Sequence, residues 1–301
     1  MPLVAVSVAA LSAAGFAVST SVQHHANGEM DDGLGTAGLL GALIRRPGWL
    51  LGQVVGLVSF ALHAVALHLG LLVVVQPVVV SGIVLAVPVR AALERRLPAP
   101  AELGTVAMTA SGLALFLVCV RPEASRPPSS AAALVLLVLG SLSAVAAAGW
   151  AGRRSGTAQA TGYGFASGVL FGLTAGLVKL TGALASPSQG FVGHVAALVS
   201  SWPTWTVPLV GLAGVALNQR AYRAAPLSAS MPLLNIVDVV VAIAFGVVAF
   251  GEVPAHSAPA LAGQAAALVL IAIGLRRLGR QAVVEDAPAA ASPPTTSRSR
   301  S

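Results

Sequence analysis

GFASGVLFGLTAGLVKLTG, residues 164–182, places glycine at 164, 168, 172 and 176, and the chain's one lysine, Lys179, three residues later. In water this is a poor helix, because each interior glycine costs about 1 kcal/mol relative to alanine. In lipid the balance changes. Helices there gain nothing by hiding apolar surface from one another, and small residues every fourth position let two backbones approach closely. At about 100° per residue, Gly164, Gly168, Gly172 and Gly176 sweep about 120° of one face, and Lys179 points into the middle of that arc. The stretch reads as a membrane helix whose glycine face packs on another helix or lines a narrow cavity, with its lysine turned inward.

The rest of the chain agrees with a lipid solvent. Of 301 residues, 56% are hydrophobic and 9% charged, against roughly 25% charged in a soluble domain. Nine apolar runs cover about 3–22, 49–69, 71–92, 101–120, 131–150, 160–183, 204–219, 227–250 and 257–275. A spanning helix needs about 20 such residues. Barrel strands are half that length and alternate in polarity, which these runs do not. The first run has no basic residue before it and exceeds the usual signal-peptide core of about 7–15 residues, so it is expected to be a helix of the mature chain. Residues 35–44 are apolar but short, which suggests an interfacial helix or a tenth membrane segment; 191–201 have the same character. The expected fold is an all-α polytopic membrane helix bundle of nine or ten transmembrane helices.

A net charge of +7 raises nucleic acid as a partner, but alternating spans account for it better. They put fourteen of the 17 basic residues on one side, among them Arg45, Arg95, Arg153, Arg223 and Arg276. The other side receives Arg121 and Arg126, and Lys179 lies within a span. The positive-inside rule then places the N-terminus outside and the C-terminus inside. The expected partners are membrane lipid and a small-molecule or ion substrate, with no nucleic acid and with a homodimer left open. The expected location is the plasma (inner) membrane. Trp49, Trp150, Trp202 and Trp205 fall at helix ends, where amphipathic rings prefer to sit. Cys119 is alone, so no disulfide within the chain can form.

The two halves resemble each other. A shift of 155 residues brings Gly56 onto Gly211, Leu62 onto Leu217, His63 onto Asn218 and Pro77 onto Pro232. Five spans separate each helix from its counterpart, so the second copy enters the membrane from the opposite side. The chain divides into a first transmembrane repeat (1–122), a connector helix and loop (123–159), a second repeat (160–280) and a disordered cytoplasmic tail (281–301). Inverted-topology repeats typify secondary transporters, which hold substrate near the midplane between the halves.

Polar residues inside the spans mark where such a site would lie. An ionisable group at the bilayer centre costs at least about 2.5–3.5 kcal/mol, so function is its default reading. Asp238, near the middle of the eighth run, is the deepest acid, and Asn235 lies one turn before it on the same face. Lys179 has three readings: it snorkels to the interface, it binds an anionic group of the substrate, or it pairs with a carboxylate. Depth argues against a direct bond to Asp238. Gln76, Asn218 and Gln219 complete the candidate substrate-binding set. Pro77 and Pro232 each remove a backbone donor and, with the four glycines, are candidate hinge or packing residues. His24 and His25 precede Glu29, Asp31 and Asp32 without a defined ligand spacing, so no metal site is assigned. No phosphate loop, paired-cysteine pattern or nucleophile elbow occurs, so neither cofactor nor enzyme activity is expected.

RRPGWLLGQVVGLVSFALHAVALHLGLLVVVQPVVVSGIV, GLVKLTG and ALNQRAYRAAPLSASMPLLNIVDVVVAIAFGVVAFGEV resemble, by order and spacing, the two half-signatures of the drug/metabolite transporter (DMT) superfamily. They are most similar to its EamA-like, NIPA-type magnesium-transporter branch. The resemblance covers about residues 3 to 277. It implies alternating-access transport, a place for Lys179 in the sixth helix, for Asn218 and Gln219 as a polar pair, and for Glu252 as an acid after the eighth. Relatives often carry proline after the eighth-helix acid, whereas Val239 follows Asp238 here. The resemblance also implies magnesium as a substrate. Mg²⁺ wants several oxygen ligands in octahedral geometry. One deep carboxylate and a lysine favour instead a small organic or anionic metabolite. A non-transporting membrane partner is the third reading.

Overall fold

The computed structural model describes residues 2–27, 45–93, 95–120, 127–184, 190–225 and 227–286. These form ten helices in chain order: α1 (Pro2–Asn27), α2 (Pro47–Leu69), α3 (Leu72–Leu93), α4 (Pro100–Val120), α5 (Ser130–Ala151), α6 (Gly156–Leu184), α7 (Gly190–Ser200), α8 (Trp202–Ala224), α9 (Leu227–Phe250) and α10 (Ala258–Asp286). Each of the nine apolar runs becomes a helix, and the short 191–201 segment becomes α7. Residues 35–44, Glu29, Asp31 and Asp32 lie outside the described residues. His24 and His25 fall in the last turn of α1.

Among the described residues, five helices are long and apolar enough to cross a bilayer: α2, α4, α5, α6 and the Leu233–Phe250 part of α9. The chain is an all-helical protein of the kind a membrane-embedded bundle requires. One boundary is corrected. α10 runs on to Asp286, past residue 280 where the tail was expected to begin. RRLGRQAVVED holds good helix formers, and the first proline comes only at 288. Residues 287–301 lie outside the described residues.

The helices pack in two similar groups. α1 lies along α2 and α3, and α6 lies along α8 and α9. α3 contacts α4 as α9 contacts α10, and the groups meet through α4 against α10 and α3 against α9. α5 rests on α6 and leaves Leu139, Leu142 and Val145 exposed. One hydrogen bond recurs in both groups. The Ser12 hydroxyl donates to the Ser59 carbonyl at 2.8 Å, and the Ser167 hydroxyl to the Gly214 carbonyl at 2.9 Å; each spans 47 residues.

α6 is buried along most of its length, and its glycines explain how. A Cβ at Gly164 would lie 3.0 Å from the Ser230 carbonyl oxygen. At Gly168 it would lie 2.5 Å from the Leu234 carbonyl, and at Gly172 2.7 Å from the Asp238 carbonyl. At Gly176 it would enter the Phe245 ring. The glycine face packs on α9, the first of the two outcomes expected from its spacing. Dispersion contacts between the two backbones replace the side chains, and they weaken steeply with any gap.

Gly168→Val should therefore lower the stability of the purified protein by about 1–3 kcal/mol, the usual cost of overpacking. Gly149 has open space beside it, so Gly149→Ala should leave the melting temperature nearly unchanged. Thermal unfolding in detergent measures both; equal effects would mean that α6 does not approach α9 this closely.

Candidate functional site

The site grows from the place where α2 stops and α3 starts. Gly70 caps α2, its N–H donating to the Ala66 carbonyl at 2.9 Å, and the chain turns through Leu71 into α3. The first N–H groups of a helix have no partner within it. The Val73 N–H is one of these. It donates at 3.2 Å to Oε2 of Glu252, a residue 179 positions away at the end of α9.

Glu252 reaches this position because α9 ends on a glycine. Gly251 has φ 63°, a left-handed conformation that side chains disfavour. The chain reverses there, and the Glu252 N–H donates back to the Gly246 carbonyl at 3.1 Å. A Cβ on Gly246 would stand 2.5 Å from Glu252 Oε2, so glycine is needed there as well. Glu252 is fully buried.

Lys179 neutralises it. The ammonium pairs with Glu252 Oε1, donates to the Gly70 carbonyl at 2.8 Å, and sits 5.0 Å from the centre of the Phe250 ring. Two of its three donors have oxygen partners, and the ring face adds a cation–π contact. The carboxylate that Lys179 meets is Glu252, not Asp238, the acid that the sequence put forward as the candidate partner. Snorkelling is not needed, since the charge is satisfied inside.

Asp238 lies deeper. Its carbonyl faces Gly172, seven residues before Lys179 on α6, which is about 10 Å along the axis. The separation argued from depth is thus present. The partner of Asp238 is Gln76, whose Nε2 donates to Oδ1 at 2.8 Å. Both side chains are buried. Gln76 stands one turn after Val73 on α3, so α3 presents two successive polar contacts to α9. The Oε1 of Gln76 is buried without a hydrogen-bond partner.

The other candidates are distributed around this pair. Asn235 keeps its place one turn before Asp238 and is half-buried. Pro77 and Pro232 each occupy the sixth position of their helices, α3 and α9. Asn218 stands toward the end of α8, and no hydrogen bond joins it to Asp238 or Gln76; its buried Oδ1 has no partner. Its counterpart at the 155-residue shift, His63, has an unpartnered Nδ1 in the same way and meets the Phe16 ring edge-on at 6.5 Å. The side chain of Gln219 lies outside the described residues. Neither Asp238 nor Gln76 lines the cavity of about 330 Å³ between α5, α6 and α9, whose walls are apolar except for Ser143. Glu252 entered the sequence reading only through the family resemblance. Its role as the lysine's partner had no periodic signal, because it lies past the helix end.

The chain is 30% identical over 252 residues to the uncharacterized protein Cgl0250/cg0304 of Corynebacterium glutamicum, a match covering 81% of this chain and 83% of that protein. The chain belongs to that protein's family. No family model matches the chain, and no solved structure does. The matched length exceeds either helix group, so the family relation extends over both.

The buried ion pair makes a sharp expectation. Removing one member strands the other charge and costs about 3–5 kcal/mol, whereas replacing both is often close to neutral. Lys179→Met and Glu252→Gln should each lower the melting temperature strongly, and the double variant should melt above either single one. Additive losses in this cycle would show that the two side chains do not interact.

Proposed function

We propose that this chain is a secondary transporter of the DMT type. Its nine spans form two inverted repeats, N-out and C-in, and it carries a small solute across the plasma membrane by alternating access. The observation that carries this reading is the Gln76–Asp238 hydrogen bond, a buried polar contact between α3 and α9, the two helices that the repeat makes equivalent. Polar groups at that depth are costly, and they mark substrate or proton pathways in membrane proteins.

Several features support the repeat beneath it. α2 and α8 begin and end at the same shift that relates Pro77 to Pro232. The Ser12–Ser59 and Ser167–Gly214 hydrogen bonds are related by that shift too, as are His63 and Asn218, each with one buried polar atom that has no hydrogen-bond partner. The matched packing of α1 with α2 and α3, and of α6 with α8 and α9, supports it independently of identity.

In this reading the Lys179–Glu252 clamp closes the outer side. It ties α6 and the end of α9 to the α2–α3 turn, and so ties one repeat to the other. Alternating access requires such cross-repeat contacts to open when the halves rock. Asp238, which has no counter-ion among the described residues, couples the cycle to a proton.

Two measurements test the proposal. Asp238→Asn in proteoliposomes should abolish uptake driven by a pH gradient; undiminished uptake rejects the coupling. In a Cys119→Ala background, Arg95→Cys, Arg153→Cys and Arg223→Cys should all react with an impermeant maleimide from one face of the membrane. Labelling from different faces would remove the inverted repeat.

A further inference from the structure

The described residues bury three carboxylates: Glu102, Asp238 and Glu252. Two of them face a cation. Arg96 holds Glu102 through two hydrogen bonds of 2.8 and 3.0 Å, and Lys179 holds Glu252. Asp238 faces only the neutral amide of Gln76. The one lysine is already engaged about 10 Å further along α6.

The contact between Asp238 and Gln76 leaves an acceptor unpaired. A carboxylate accepts at both oxygens and donates nothing when ionised. The Gln76 amide gives its nitrogen to Asp238, and its oxygen, held beside that nitrogen by the planar amide, is buried and unpartnered. Gln76 is 3% exposed and Asp238 8%. Pro77 has no N–H, so the Val73 carbonyl one turn earlier lacks its helical donor. The group that completes this arrangement donates several hydrogen bonds and carries positive charge.

We propose that the substrate is a monovalent organic cation, a protonated amine whose ammonium group sits between the Asp238 carboxylate and the Gln76 amide oxygen. The proposal rests on the transport reading above and names the class of its solute. A primary ammonium has three donors and no acceptor, and the carboxylate and the amide oxygen accept two of them. An anionic solute would meet an unpaired carboxylate and find the lysine held by Glu252. Mg²⁺ prefers octahedral coordination and keeps several waters, and this pair offers it one carboxylate and one amide oxygen.

Binding and transport are read separately on the full-length protein. Thermal unfolding in detergent is followed with benzylammonium, benzyl alcohol, benzoate, sodium chloride and magnesium chloride, each at matched ionic strength. A ligand that binds the native state raises its melting temperature. Benzylammonium alone should do so. Its half-saturating concentration should rise roughly tenfold or more in Gln76→Leu and in Asp238→Asn, since each removes a hydrogen bond to a charged group. Stabilisation by benzoate, sodium or magnesium in place of the amine overturns the proposal, as does an amine effect that survives both substitutions or is absent from the native chain. The same solutes are then followed in proteoliposomes. Benzoate or benzyl alcohol flux without amine flux removes the cation and leaves the transporter standing. Amine binding without any flux removes the transporter and leaves the cation seat.

Discussion

Along α6 and α9 two backbones touch with almost no side chain between them, and the positions of the polar residues follow from that contact. Gly164, Gly168, Gly172 and Gly176 meet Ser230, Leu234, Asp238 and Phe245 in order. Such a contact tolerates no slip, because any displacement drives a carbonyl into a Cα. The register it sets puts the Asp238 backbone beside Gly172 and brings Lys179 to the end of α9, where Phe250 and Glu252 wait. Glycine is costly in a soluble helix through chain entropy. Here the close approach that only glycine allows offsets that cost.

The Lys179–Glu252 pair is the second constraint. A buried ion pair is weak evidence for stability, since desolvating both charges can exceed their attraction. This pair has additional partners. Lys179 reaches the Gly70 carbonyl and Glu252 reaches the Val73 N–H, so both charges also satisfy backbone groups that a helix break leaves open. A carboxylate at the start of α3 also sits favourably in that helix's dipole. The pair thereby joins segments far apart in the chain.

One turn further along α3, Gln76 and Asp238 repeat the theme with different chemistry. There the carboxylate has a neutral partner, and an amide oxygen stays unsatisfied. Unsatisfied buried acceptors are rare and call for an explanation. The two neighbouring contacts differ in chemistry: at one a carboxylate is neutralised by an ammonium, at the other a carboxylate meets a neutral amide whose oxygen stays unpaired.

Much of this was legible in the sequence, for a physical reason. Lipid demands long apolar helices with their hydrogen bonds satisfied internally, so nine runs announced nine helices, and glycine spacing announced a close helix contact. The depth of Asp238 and the inward aim of Lys179 followed from helical geometry alone. Partners did not. Which helix receives the glycines, which acid receives the lysine, and that Gln76 reaches Asp238 across 162 residues depend on how α3, α6 and α9 cross. Those crossings are set by packing between segments remote in the chain, which no local periodicity encodes. Glu252 shows the limit best: past a helix end, its direction is decided by the reversal at Gly251 and the space left by Gly246, and only the folded bundle fixes both.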